Sequence, residues 1–301
     1  MSNKSDIELL SNWRTIGSRN SEKVIELSEK VLKGKVFDQE WAIREQLAIA
    51  ALDLGKNELA NEQIKLLNLK FPNSPRIKIL NGLSFEVENN YEKAKEIYEN
   101  LLKIDETNVS AHQRLISLSL STSTIQNTII ILLKYLDIFY SDPSGWSLLS
   151  ELYSELNLYN QSLDSLGHLL LIQPWDENQI RRSGEIAYTL GDYQLSLKHF
   201  LRSLEMKGNV EENKNSNKTR TWWGIKLSVS RLLESNSSSN SSSNLETIIP
   251  FEMRTNEKQL KLLDELSTEN LLSSTSSGKG LNLDITRRLL SNSIQIKEII
   301  R

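Results

Sequence analysis

The feature that most constrains this sequence is the recurrence of like residues at a spacing of about 34. Pro72 and Pro174, Gly82 and Gly184, Tyr91 and Tyr193, and Tyr98 and Phe200 each stand three such periods apart. Ala60 and Ala94, Tyr159 and Tyr193, and Ser162 and Ser196 stand one period apart. Self-similarity at this period signals a short supersecondary unit repeated along the chain. Each unit can bury its apolar face only against its neighbours. A chain of 301 residues then accommodates one elongated array with room at both ends.

Trp146, Leu149 and Tyr153 stand in the tetratricopeptide pattern W-x2-L-G-x2-Y, with Ser150 in place of glycine, and Pro174 closes the same unit. The register gives five units, 41–74, 75–108, 109–142, 143–176 and 177–210, each reading as helix A, a turn and helix B. Gly55-Lys56-Asn57, Glu88-Asn89-Asn90 and Gly191-Asp192 supply turns, because Gly and Asn tolerate the left-handed backbone that ends a helix. The eighth position holds Ala48, Gly82, Ile116, Ser150 and Gly184; the twentieth holds Ala60, Ala94, Thr128, Ser162 and Ser196. Small side chains there let helices A and B approach closely. The twenty-fourth is large throughout: Ile64, Tyr98, Leu132, Leu166 and Phe200. The third unit is the most degenerate. The expected fold is all-α, a tetratricopeptide-repeat α-solenoid: a superhelix of antiparallel helix pairs.

The expected organisation is N-terminal capping helices over 1–40, five repeats over 41–210, a sixth-repeat helix with a disordered Ser/Asn-rich insertion over 211–250, and C-terminal capping helices over 251–301. Val24, Leu27, Val31 and Leu32 form a helical stripe suited to closing the first unit. Trp222, Trp223 and Gly224 fall where a sixth helix A would carry apolar and small residues. Ser235 to Asn244 is almost pure Ser and Asn, a composition that cannot bury a core.

Lys and Arg total 36 against 39 Asp and Glu, a net charge of -3, which lacks the basic footprint that nucleic-acid binding requires. No cysteine is present, so thiolate metal sites, disulfides and cysteine nucleophiles are excluded. The three histidines, His112, His168 and His199, follow no ligand spacing. Gly278-Lys279-Gly280 lies in a Ser-rich linker rather than after a strand, so it does not read as a phosphate loop. No apolar leader follows Met1. The most apolar stretch, Ile129 to Tyr140, is interrupted by Lys134 and Asp137 and falls short of the roughly 20 residues of a membrane span. The sequence nominates no catalytic, cofactor-binding or metal-ligating residue, and the chain reads as non-enzymatic.

What remains is a surface. In a solenoid of this kind helix A lines the concave groove. Its inward positions are Arg76, Ile79, Leu80 and Leu83 in the second unit, and Gln113 and Arg114 in the third. The fourth supplies Leu148 and Glu151; the fifth supplies Arg181, Arg182, Glu185 and Tyr188. Such a groove suits a partner segment with apolar anchors and a few acidic groups. Two readings of Arg181 and Arg182 stand: a basic pair offered to a partner, or cations paired with Glu185 and neighbouring acids. Likewise Ile79 and Leu83 either line the groove or are buried by the array's curvature.

The run Gly145-Trp146-Ser147-Leu148-Leu149-Ser150-Glu151-Leu152-Tyr153 through Pro174, then Gly191-Asp192-Tyr193 to Phe200, resembles the subunit 2 family of the ER membrane protein complex. Asp105-Glu106-Thr107-Asn108, followed by Ala111, Gln113 and Arg114, and the helix start Thr221-Trp222-Trp223-Gly224 are similar too. The resemblance covers about residues 20–234; the Glu211–Lys218 insertion and the Ser/Asn tract depart from it. It implies a scaffold peripheral to the cytosolic face of the ER membrane, held there in a hetero-oligomer with other subunits of that complex. The cytosolic parts of subunits 3 and 5 are among the implied partners, and the assembly inserts tail-anchored and multi-pass proteins. The alternative is a tetratricopeptide co-chaperone adaptor for acidic peptide tails, although Arg76, Gln113 and Arg114 come without the Lys-Asn pair of such adaptors.

Overall fold

In the computed structural model, which describes residues 2–34, 39–206, 217–237, 247–276 and 284–290, every regular element among the described residues is helical. Two helices, α1 (Ser2–Ile16) and α2 (Ser21–Leu32), precede ten that alternate as A and B. The five pairs are α3 (Glu40–Asp53) with α4 (Asn57–Lys70), α5 (Pro75–Val87) with α6 (Tyr91–Ile104), α7 (Val109–Thr122) with α8 (Ile125–Ile138), α9 (Pro143–Glu155) with α10 (Tyr159–Ile172), and α11 (Glu177–Leu190) with α12 (Tyr193–Met206). Then come α13 (Asn217–Ser237), a 3-10 turn at Phe251–Met253, α14 (Glu257–Ser276) and a helical stretch at 284–290. The fold is the expected all-α tetratricopeptide solenoid. The chain forms two compact units, Met1–Ile138 and Phe139–Arg301.

The boundaries of the pairs follow from local chemistry. The last residue of each of the first four repeats is Ser74, Asn108, Asp142 or Asp176, and each is the N-cap of the next helix A. Asn108 accepts from the Ala111 amide at 3.1 Å, Asp142 from Ser144 at 3.0 Å, and Asp176 from Asn178 at 3.0 Å. These bonds satisfy donors that the first turn of a helix leaves unpaired. At the other end of helix A, Gly55, Asn89, Asn157 and Gly191 occupy one register position, with φ of 69, 59, 58 and 86°. The next amide reaches back five residues to close the helix: Lys56 to Ala51, Asn90 to Phe85, Leu158 to Tyr153 and Asp192 to Ala187, at 2.8–3.0 Å. The third unit breaks the rule: Ser123 stands at that position with φ −116°, and α7 closes on a Ser123–Ser119 bond.

The small positions meet as their spacing predicts, and the structure shows why they are small in different ways. Ser162 donates to the Ser150 carbonyl and Ser196 to the Gly184 carbonyl, both at 2.8 Å and buried, so serine at the twentieth position bonds the backbone at the eighth. In the third unit Thr128 instead exchanges a bond with Ser119 at 2.9 Å. The eighth and twenty-fourth positions trade volume. Where the eighth is glycine the twenty-fourth is aromatic, as in Gly82 with Tyr98 and Gly184 with Phe200. Where the eighth is Ala48, Ile116 or Ser150, the twenty-fourth is Ile64, Leu132 or Leu166. A β-carbon on Gly82 would overlap the Tyr98 ring. One on Gly224 would stand 2.5 Å from Phe200, whose other side meets Gly184.

In the first unit α1 and α2 bury Leu10, Val24, Ile25 and Val31 in one cluster with Ile43, Leu47 and Ile77. In the second, α13 packs on α12 through Ile225 and Val229, and α14 adds Leu260 to the same cluster. Lys226, 9% exposed, joins α13 to α14 through Asp264 and Thr268, each at 2.8 Å. A helical pair therefore spans residue 250, where the sequence reading places a boundary. Most of the Ser/Asn-rich tract, the Glu211–Lys218 insertion up to residue 216, Gly278-Lys279-Gly280, and Ile294 with the residues after it lie outside the described residues.

Candidate partner-binding face

The residues expected on the inner side of helix A fall into two groups, one in each compact unit. In the first, Arg76 is exposed and reaches back one repeat to Glu45 on α3 at 2.9 Å. Ile79 is half-buried against Ala94 and Tyr98, and Leu83 against the α2–α5 core. Both side chains thus pack in part on the array's own helices and stay in part exposed. Leu80 is a correction: only 3% exposed, it belongs to the core with Ile77, because it lies one turn from Ile77 on the side of α5 that faces α4 and α3. Gln113 is exposed and Arg114 half-buried. The neighbouring Glu86 is occupied, since its carboxylate accepts from the Tyr98 hydroxyl. Burial first, and that carboxylate second, push the Tyr98 phenol above its usual value.

In the second unit the structure brings most of the expected residues into one ionic network. Arg182 on α11 binds Glu151 on α9 at 2.7 Å. Arg181 binds Glu185 one turn along its own helix at 2.8 Å. Glu185 also receives Arg220 of α13, through two bonds of 2.7 and 2.8 Å. Arg231 of α13 lies near Tyr188, whose phenol raises the guanidinium's pKa further, and the Tyr188 ring lies 5.1 Å from Tyr193. Leu148 is half-buried beside this network. The two arginines are therefore paired internally, each with a carboxylate. Pairs of this exposure contribute little stability one by one, but they fix the rotamers of a surface that spans three helices.

Sequence reasoning missed Glu45, Arg220 and Arg231. A signal was available for the first: Glu45 with Arg76 and Glu151 with Arg182 are both opposite charges 31 residues apart, one helical turn short of the repeat. The histidines are dispersed. His112 is buried, with its ring nitrogen 2.9 Å from the Glu106 carbonyl; His168 stacks on Trp146 at 4.4 Å. His199 has a lowered pKa, from burial first and then Arg202, opposed by Asp192. Among the described residues no group of three or more His, Asp or Glu could hold a metal ion, and no helix is long and apolar enough to cross a membrane.

Residues 59–205 match the family model described as the EMC2 TPR-like repeat domain. The chain is 33% identical over 225 residues to ER membrane protein complex subunit 2-A of Xenopus laevis, covering 73% of each chain. It is 30% identical to TPR repeat protein oca3 of Schizosaccharomyces pombe, over 67% of this chain and 70% of that one. Among solved structures, the C-terminal part of a TPR repeat-containing protein from Cytophaga hutchinsonii superposes with a TM-score of 0.59 at 14% identity, covering 94% of this chain and 98% of that one. That last likeness concerns the fold alone.

Proposed function

The chain belongs to the ER membrane protein complex subunit 2 family, and we propose that it serves as a non-catalytic scaffold subunit, peripheral to the cytosolic face of the ER membrane. In this role it holds cytosolic segments of the membrane subunits, those of subunits 3 and 5 among them, while the assembly inserts tail-anchored and multi-pass proteins. The observation that carries the reading is the cross-helix network of the second unit. Glu151, Arg182, Arg181, Glu185 and Arg220 hold three successive A helices to one another through side chains that face outward. Such a surface is rigid before a partner arrives, so little ordering entropy is lost on docking. Its charges are arranged for positioning; nothing in it resembles a nucleophile with a base. The adaptor alternative has no such support: of Arg76, Gln113 and Arg114, Arg76 already binds Glu45 and Gln113 carries no charge.

The test is recovery of the tagged full chain from detergent extracts. The expected result is co-purification of the complex's membrane subunits. Reversing Arg182 to Glu should lower their recovery, and the double reversal Arg182→Glu with Glu151→Arg should restore it. A chain that runs alone while the membrane subunits assemble without it would overturn the reading.

A further inference from the structure

Helix α8 is rich in apolar residues, and its Gln126, Asn127, Lys134 and Asp137 are all exposed. Thr128, Ile129, Leu132, Tyr135 and Leu136 are buried within the first unit, yet Ile130, Leu133 and Ile138 remain 54, 38 and 38% exposed. The outer side of α8 therefore mixes these three apolar side chains with four polar residues, and apolar groups gathered on such a face mark a surface for another element to cover. Its exposed side borders a cleft of about 760 Å³ on the helix-B side of the same unit, floored by Leu115 and Leu118 of α7 and walled by α6 and α8. The cleft opens at the one repeat whose turn departs from the left-handed rule, at Ser123.

The charges around the cleft select its occupant. Along the α6 wall stand Glu92, Lys95, Glu99, Lys103 and Glu106, alternating in sign. Lys134 is the one charge that α8 contributes to the lining, and it makes no ion pair with the described residues. Such a rim nearly cancels, so it does not attract an anionic bilayer or a polyanion, both of which need a basic field. It matches a helix with mixed charges on its flanks.

We propose that this cleft is a second docking site, which receives one amphipathic helix from another subunit of the complex. The incoming helix sets apolar residues at i, i+3, i+4 and i+7 on Leu115, Leu118 and Ile130, and a carboxylate opposite Lys134. The helix runs between α6 and α8 and covers Ile130 and Ile138. The inference rests on the scaffold reading, but it concerns the first compact unit, whereas the ionic network belongs to the second.

A photoreactive side chain placed at position 130 of the full chain, irradiated in the assembled complex, tests it. The expected adduct maps by mass spectrometry to one helical segment of another subunit with that apolar spacing. Ile130→Glu should lower recovery of that subunit about ten-fold, as the loss of a central anchor does, and Lys134→Glu should be rescued by reversing the carboxylate the adduct identifies. Because Ile130 is exposed, the melting point of the isolated chain should not move; if it does, the adduct alone decides. Complete complexes that give no adduct, or adducts only to lipid or to another copy of this chain, overturn the proposal. A wild-type chain that recovers no other subunit overturns the scaffold reading and this one with it.

Discussion

A glycine at the eighth position of a repeat matters because of the ring that stands on it from the twenty-fourth. Gly82→Ala drives a methyl group into the Tyr98 ring, which is fully buried and tied to Glu86, so the ring cannot swing aside. The expected cost is about 1–3 kcal/mol. Tyr98→Ile in the same chain copies the Ala48–Ile64 solution, so the double variant should be more stable than the sum of the single losses predicts. Denaturant unfolding of the four chains measures that coupling. Gly184→Ala should be milder than Gly224→Ala, because its nearest ring carbon stands 3.1 Å away rather than 2.5 Å. His199 gives a pH dependence of known sign. Its folded pKa lies below the ordinary 6.5, so on acidification the unfolded chain takes up the proton first. Stability is full above that ordinary value and is lost as pH falls from it towards the depressed folded one. His199→Gln should flatten this part of the melting-temperature profile, and a profile unchanged by the substitution would contradict the assignment.

Helices begin and end here on side chains that the register places at fixed intervals. The N-cap residues at the last position of the first four repeats are readable without a structure, since Ser, Asn and Asp before Pro75, Val109, Pro143 and Glu177 form a helix-start signature. Asp176→Ala removes the acceptor for two amides of α11 and should cost about 1 kcal/mol. Asp192 has two duties. One carboxylate oxygen accepts from Leu195 in the first turn of α12, and the other from the Ile248 amide at 3.1 Å. Gln194 holds Thr255 in the same way, so the segment between α13 and α14 is strapped across the start of α12. Asp192→Asn weakens both bonds, and amide exchange at Ile248 should speed up along with the first turn of α12. Exchange confined to α12 would mean the strap is held by Gln194 alone. No local signal announced this contact, because its two sides lie 56 residues apart.

At the scale of each compact unit, stability is shared between neighbours, since the helix pairs within it pack on one another. Within the first unit, a destabilised Gly82→Ala chain should therefore lose amide protection most in α5 to α7 and progressively less towards α1. Uniform loss would mean that the unit opens all at once. The period, the helix-turn-helix units, the left-handed turns and the small positions were legible because each depends on residues within one repeat, where chain connectivity already fixes who can meet. The partner face was only partly legible. Register put Arg181, Arg182, Glu185 and Tyr188 on one side of α11 and told nothing of their occupation, since Glu151, Arg220 and Arg231 reach them from other helices. Leu80 was misplaced for the same reason: a side chain on the border of two faces goes where the neighbouring helices leave it no water, and helix geometry alone does not say which. The sequence by itself determined the kind of unit and its repetition, because those rest on short-range sterics and hydrogen bonds. The tertiary structure alone decided which charges cancel and which apolar side chains stay outside, because both depend on distances between residues that are a repeat or more apart along the chain.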